Sequence, residues 1–424
     1  MLQQYFKQAW LLLRENPLLS IISIAGTALA ITLIMVLVIT YEVRTANYKP
    51  EMNRDRMLYV KYGRYESPNN ISNSANSFEV VKQCFYPLKH AEAVTAVAPY
   101  IEVLISIPGG EKEYKSDVSF TDADFWKVFD FEFVSGKPYT SEEVESGIPK
   151  AVINETLAQN LYGDTDPVGK TLLVNFVECT VAAVVKPVST LAEAAYAEVW
   201  LPRTLNTDVP NLWVENTLGG YRCFILAPAK ADIPAIQEEA EQLVQQFNAS
   251  MMENGKYVLN GQPDTHFVQM IHTIGSQRPD IQGAILRYGA IILILLLVPA
   301  INLSGMTFSR MNKRMAEMGV RKAFGATKGN LLSQVLSENL VWTLIGGVFG
   351  VALSYLAITL MSKWLLETQT SRFLDGEAFI NAGMIVHPMV FVYAFLFCLV
   401  LNLLSAGIPA WRVSREHIVD ALNS

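Results

Sequence analysis

Four stretches of this chain each run for more than twenty residues without an Asp, Glu, Lys or Arg: Leu18–Tyr41, Tyr288–Phe308, Asn339–Ser362 and Val386–Pro409. A helix crossing the hydrocarbon core of a bilayer needs about 20 apolar residues, and each stretch meets that length. The fold expected is therefore an α-helical membrane protein with four transmembrane helices. Hydrophobic residues are 51% of the chain and the mean hydropathy is +0.25. That is high for a soluble protein and low for one buried wholly in lipid, so a large water-exposed domain must accompany the spans. The first stretch is too long, and too far from a small-residue cleavage site, to read as a removable signal peptide. It reads as an anchor.

Charge fixes the expected orientation. Arg310, Lys313, Arg314, Arg321, Lys322 and Lys328 follow the second stretch, against a single Glu317. Lys7 and Arg14 precede the first stretch, and Arg412 and Arg415 follow the fourth. With four spans all three segments share one side, which the positive-inside rule assigns to the cytoplasm. Residues 42–283 carry 20 basic and 32 acidic side chains, a net of −12, and belong on the other side. The order expected is a cytoplasmic amphipathic helix (1–17), a first span (18–41), an extracytoplasmic domain (42–283) and a second span (288–308). A cytoplasmic segment (309–334), a third span (339–362), a short outer loop (363–385), a fourth span (386–409) and a cytoplasmic tail (410–424) complete it. Leu2, Phe6, Ala9, Trp10 and Leu13 share one helical face, as in a helix lying on a leaflet, and Pro17 would end it.

The domain reads as α+β. Short β-rich runs at Met57–Tyr62, Ala96–Ile107, Leu172–Val185 and Arg222–Ala227 alternate with helical patterns. The clearest helix is Ile233–Met251, with Ile233, Ile236, Ala240, Leu243, Val244 and Phe247 on one stripe. The polar run Ser67–Ser77 reads as a loop. Gly163–Thr171 has the look of a phosphate-binding loop, but five residues separate its glycines where such a loop has four, so a turn before a strand is expected. His266 and His272 fall on one face if DTHFVQMIHT is a strand. The five histidines otherwise lie scattered, and no residue set points to catalysis, a metal or a cofactor. Cys84, Cys179, Cys223 and Cys398 are too widely spaced for a disulfide framework, and a concentrated basic surface for nucleic acid is lacking.

Ion-coupled carriers and voltage sensors keep ionisable groups at mid-membrane because their chemistry requires them. These spans hold none, so the driving force must come from elsewhere. Asn302 is positioned to bond across helices, while Gly346 with Gly350, and Gly26 with Ala30, are small-residue pairs that allow close helix approach.

The most particular stretch is Arg310–Gly329, RMNKRMAEMGVRKAFGATKG. It reads as a short basic surface helix. Arg314, Glu317, Gly319, Val320, Arg321, Lys322, Ala323, Phe324, Gly325 and Ala326 resemble the cytoplasmic coupling segment of the MacB/FtsX-like permease superfamily. Phe120–Gly136, with Asp122, Asp124 and Phe125, and Ala151–Lys170 are similar to stretches of the MacB-type periplasmic core. The tail Pro409–Leu422 is similar to the family's ending, except that Ile418 stands where the family has proline. The resemblance implies an inner-membrane ABC transporter permease that is not itself an enzyme. A cytoplasmic ABC ATPase subunit would bind the ATP, and the permeases would form a homodimer or heterodimer, with a periplasmic adaptor in some branches. It implies that ATP hydrolysis moves the outer domain, either to drive efflux of a peptide, drug, toxin, lipid or lipoprotein, or, as in the FtsX branch, to control a cell-wall hydrolase.

Overall fold

A computed structural model describes residues 17–110, 112–206, 216–251, 255–272, 277–294 and 327–366, with scattered positions from 297 to 325 and from 389 to 404. The amphipathic stretch expected before Pro17, most of the fourth span and the tail lie outside the described residues. The chain divides into a helical unit, which includes Met1–Val43 and Ile285–Leu365, and an α+β unit, which includes Arg44–Ala284.

In the helical unit, α1 (Pro17–Thr45) starts on a proline, whose fixed φ and missing N–H suit a first helical turn. Its 29 residues make a rod of about 43 Å. The second long helix, α5 (Lys328–Leu366), runs 39 residues and leaves helical geometry only at Met361. Ile24–Thr45 and Thr343–Met361 are the two segments long and apolar enough to cross a membrane among the described residues, with mean hydropathies of 2.3 and 2.0. A shorter apolar helix covers Ile281–Ile294.

The α+β unit is organised by one strand. β4 (Ala93–Ser106) is 14 residues long and serves two cores. Val94, Ala96 and Ala98 face the first, while Val103 and Ile105 face the second. Side chains alternate along a strand, so this change from even to odd requires one extra residue. The register shift between Tyr100 and Val103 supplies it, with Glu102 at φ 54°.

On the first side, β1 (Met57–Val60) and β12 (Arg222–Leu226) join β4 antiparallel. Helix α3 (Ile233–Ser250) covers them through Ile236, Ala240, Val244 and Phe247, together with the turn Val81–Phe85. On the second side, six strands close on themselves. From β4 the circuit passes through β5 (Tyr114–Thr121), β10 (Val199–Pro202), β7 (Lys150–Asn154), β9 (Val177–Val185) and β8 (Thr171–Val174), and β8 pairs β4 again. Ile105, Val118, Ile153, Leu172, Val181 and Val199 fill the interior, and Leu157 of α2 (Glu155–Tyr162) packs with them. β6 (Phe133–Gly136) edges the sheet beside β9, and β14 (Asp264–Thr265) edges it beside β1.

Three readings of the sequence change here. Leu172–Val185 is a hairpin, β8 and β9, turned at Asn175 and Phe176, both at positive φ as a two-residue primed turn requires. Half of the expected loop Ser67–Ser77 is β3 (Ile71–Asn76), paired with β11 (Leu218–Gly219) and with β2 (Gly63–Glu66), whose other neighbour is β13 (Lys256–Val258). The weak β propensity of Ser and Asn is overridden there by pairing on both sides, and Asn76 Nδ2 donates to the Val60 carbonyl at 3.0 Å. The histidine-containing stretch becomes β14 followed by the helix α4 (His266–Ile271).

The motif beginning Phe120-Thr121-Asp122 owes its acid to a buried junction. Asp122 accepts from Thr95 Oγ1 and Tyr86 Oη at 2.6 Å, from the Ala96 N–H at 2.8 Å and from the Phe125 N–H at 3.0 Å. It thus ties β4, the Val81–Phe85 turn and the following helix together. Asp122→Ala leaves four donors without an acceptor. The expected cost is about 2–4 kcal/mol, read as a lowered thermal unfolding midpoint. An unchanged midpoint would show the junction to be dispensable.

Candidate functional site

Of the coupling stretch, Val320, Phe324 and Gly325 are described; Arg314, Glu317, Gly319, Arg321, Lys322, Ala323 and Ala326 lie outside the described residues, as does Asn302. The Phe324 N–H donates to the Val320 carbonyl at 3.0 Å, one α-helical turn. Val320 and Phe324 are both exposed, Phe324 by 88%. Residues four apart lie on one helix face, so these two side chains present a small apolar surface. Gly325 follows at φ +93°, a conformation that ends a helix and disfavours a β-carbon. Thr327 then stands directly before α5 at the N-cap position, where a hydroxyl is favoured.

Farther along α5, Gly346 and Gly350 meet α1. A β-carbon on Gly346 would lie 2.9 Å from Thr27 Cβ, and one on Gly350 would lie 2.8 Å from Ile31 Cβ and 2.9 Å from the Ala28 carbonyl oxygen. Thr32 Oγ1 donates to the Gly350 carbonyl at 3.2 Å and to the Ala28 carbonyl at 2.8 Å. The two glycines therefore serve a crossing within one chain. On α1, Ala30 is buried and Gly26 half-buried, but the face that touches the glycines is Thr27, Ala28 and Ile31.

A third cluster escaped the sequence reading. It is polar, buried, and set where α1 ends. Arg54 is 2% exposed and donates from Nε to Glu51 Oε2 at 2.6 Å, and from Nη2 to Tyr48 Oη at 2.6 Å and the Leu191 carbonyl at 3.0 Å. Its Nη1 reaches the carbonyls of Ala46 at 3.1 Å and Arg44 at 3.5 Å. The second oxygen of Glu51 accepts the Ala194 N–H at 2.9 Å. Burial opposes the Arg54 charge, yet Glu51 and Tyr48 hold its pKa above the ordinary value. His266 bridges the same point: Nε2 lies 2.8 Å from the Arg44 carbonyl and Nδ1 2.7 Å from Tyr59 Oη. A carbonyl only accepts, so Nε2 carries the hydrogen and Nδ1 accepts from the phenol. Burial first, and then the Arg54 charge, push His266 down to about 4. The signal available in the sequence was the Glu51–Arg54 pair, three residues apart and just past an uncharged span.

The other candidates resolve into structural roles. His272 Nδ1 lies 2.7 Å from Asp264 Oδ2 and shares neither of the hydrogen-bond partners of His266. Lys170, in the segment resembling a phosphate loop, donates to Thr165 Oγ1 at 2.7 Å and sits over the Tyr162 ring. Cys84, Cys179 and Cys223 are buried and unbridged. Among the described residues no group of three or more His, Cys, Asp or Glu is placed to hold a metal.

Comparison with known families accounts for both halves of the chain. The model of the MacB-like periplasmic core domain matches residues 20–243, more than half of the 424, and that of the FtsX-like permease C-terminal region matches residues 289–418. The chain belongs to the MacB/FtsX-like permease family. The ABC transporter permease YknZ of Bacillus subtilis (strain 168) is 25% identical over 281 residues, 65% of each chain. The macrolide export ATP-binding/permease protein MacB of Nitrobacter winogradskyi is 22% identical over 422 residues, 99% of this chain and 60% of that protein. The crystal structure of the YknZ extracellular domain from Gram-positive bacteria aligns with 46% of this chain and 99% of its own, at 16% identity and a TM-score of 0.35. This MacB/FtsX-like chain spans between about half and two thirds of the length of the curated relatives it matches.

Two outcomes follow from this geometry. Gly350→Ala must push α1 from α5, because a backbone oxygen and a branched side chain block the new methyl. Overpacking of this kind costs about 1–3 kcal/mol, expected as a lower unfolding midpoint in detergent, with Gly329→Ala, in open surroundings, as the neutral control. The folded protein keeps His266 neutral to about pH 4, whereas an unfolded chain protonates it near pH 6.5. Stability from this contact is complete above about pH 6.5 and is lost as pH falls toward 4. The midpoint of His266→Gln should fall less steeply over that window than that of the parent; parallel curves would refute the neutral assignment.

Proposed function

We propose that this chain is the permease subunit of an ABC machine that turns ATP hydrolysis by a partner ATPase into movement of its MacB-like periplasmic domain. In this reading it crosses the inner membrane four times with both ends in the cytoplasm, works as a dimer of permeases, and drives efflux of a substrate taken from the periplasmic side. The observation that carries the reading is the coupling signature Arg314–Ala326 in a chain whose expected spans hold no ionisable residue. A span without charge has no proton or ion site of its own to harness. The signature is basic, carries the exposed pair Val320 and Phe324, and leads through Gly325 into α5. The relatives' names, an ABC transporter permease and a macrolide export ATP-binding/permease protein, support the same reading. The FtsX-type C-terminal half favours a competing one, control of a cell-wall hydrolase outside the membrane.

The test joins the chain in nanodiscs to its cognate ABC ATPase and follows a fluorophore on the outer domain. ATP should change the signal cyclically, and a non-hydrolysable analogue should hold it in one state. Arg321→Glu reverses a charge in the signature, and Gly325→Trp puts a side chain at a φ that L residues rarely adopt. Each should cut ATPase stimulation at least tenfold while membrane insertion persists; normal recruitment and stimulation would displace the docking assignment. Deletion of the gene separates the two roles, since changed susceptibility to exported compounds marks efflux and cell chaining or lysis marks hydrolase control.

A further inference from the structure

The glycine crossing gives the helical unit a common scale. Gly346 of α5 meets Thr27 and Ala28 of α1, and Gly350, one turn on, meets Ala28 and Ile31. Residue numbers rise together, so the two helices run in the same direction. Ile24 lies three residues before Thr27 and Thr343 three before Gly346, so the apolar segments of both helices begin at one level. Ten residues before the same contact, Pro17, where α1 begins, is level with Leu336.

At that level α5 carries a groove of about 320 Å³, lined by Gly329, Ser333, Leu336, Ser337 and Leu340 with Leu403 of the fourth apolar stretch. This is the liquid volume of about ten waters, room for a large aromatic side chain. The lining is mainly apolar, and Ser337 Oγ donates to the Ser333 carbonyl at 2.7 Å, which occupies its hydroxyl within the helix. At 100° per residue, Leu336 and Leu340 are turned about 80° around α5 from Gly346 and Gly350. The groove therefore opens beside α1 and not beneath it.

Acyl chains or apolar side chains would suit such walls. Thr343–Met361 already spans about 28 Å, close to the thickness of a hydrocarbon core. The groove precedes it, among Asn330, Gln334, Glu338 and Asn339, beyond the level that acyl chains fill. The chain itself supplies an apolar face. Leu2, Phe6, Ala9, Trp10 and Leu13 share one in the sixteen residues that lead to Pro17, where proline breaks the helix. That segment meets α1 level with the groove and one interhelical distance, about 8–10 Å, from α5. A tether so short holds it at an effective concentration in the millimolar range.

We propose that the segment before Pro17 docks its apolar face, Trp10 foremost, into this groove of α5 instead of lying on the leaflet. Docked there it straps α1 to α5 ahead of their glycine crossing. It also lies beside the start of α5, where Gly329 follows Gly325 by four residues. The docking stands whether or not an ATPase drives the chain.

The test is disulfide cross-linking of the full chain in nanodiscs, in a Cys398→Ser background whose other cysteines are buried. Trp10→Cys is paired with Ser333→Cys; the control is Gln8→Cys with Ser333→Cys, since residue 8 lies about 160° around a helix from residue 10. The Trp10 pair should cross-link within one chain at least tenfold faster than the Gln8 pair. Ser337→Trp, which fills the groove, should speed labelling of Trp10→Cys by a soluble maleimide at least tenfold. The cross-linking comparison stands without that variant should it fail to fold. Equal rates for the two pairs would overturn the proposal and leave the segment on the leaflet. A selective cross-link that joins two chains would assign the groove to a second copy. Protection of Trp10→Cys only after the ATPase is added would assign it to that partner, and either result overturns docking within the chain.

Discussion

The final carbonyls of an α-helix must find hydrogen-bond donors from outside the helix. At the end of α1 these donors are a guanidinium and an imidazole. Arg54 brings five N–H groups in a fixed plane, enough to engage a carboxylate, a phenol and three main-chain carbonyls at once. A lysine would offer a point charge without the fork. His266 supplies a neutral donor beside that charge, which is why its ring must resist protonation: a second cation at 2.8 Å from the same carbonyl would stand next to the first. The lowered pKa of His266 and the raised one of Arg54 are two faces of one electrostatic arrangement.

Within the α+β unit, the two cores depend on how β4 is built. A strand shared by two cores makes them one body, since the ladder hydrogen bonds on either side of the bulge belong to a single stretch of backbone. The extra residue near Glu102 turns the side chains without cutting the strand.

Much of this was legible in the sequence, and the exceptions are instructive. The stripe of Ile236, Ala240, Val244 and Phe247 specified α3 because a single amphipathic face repeats at helical spacing. The runs at Met57 and Arg222 specified β1 and β12 because both faces of those strands are buried and so nearly every residue is apolar. Ile71–Asn76 was illegible as a strand, since its side chains are small and polar and its β form comes from two neighbours distant in sequence. DTHFVQMIHT misled because alternation of two histidines fits a strand while Thr265 precedes a helical turn. The coupling stretch rests on its resemblance alone, since most of Arg314–Ala326 lies outside the described residues. The Arg54 cluster was not legible. Its members lie at 44–54, 59, 191–194 and 266, and no local pattern marks side chains whose partners are main-chain carbonyls far along the chain.

Continuity of backbone hydrogen bonding gives the proposed transmission its physical content. α5 begins three residues after Gly325 and keeps helical geometry until Met361. The crossing with α1 at Gly346 and Gly350 falls before that break, so the stretch between the signature and the crossing is one uninterrupted rod. At the crossing there is no slack: a β-carbon does not fit on either glycine, and Thr32 bonds the Gly350 carbonyl from the neighbouring helix. α1 in turn is continuous from Pro17 to Thr45. Apolar residues at the crossing would pack as well but would hold the helices farther apart, and the Thr32 bond would then be lost. The small residues at this crossing are thus what lets α1 and α5 approach so closely.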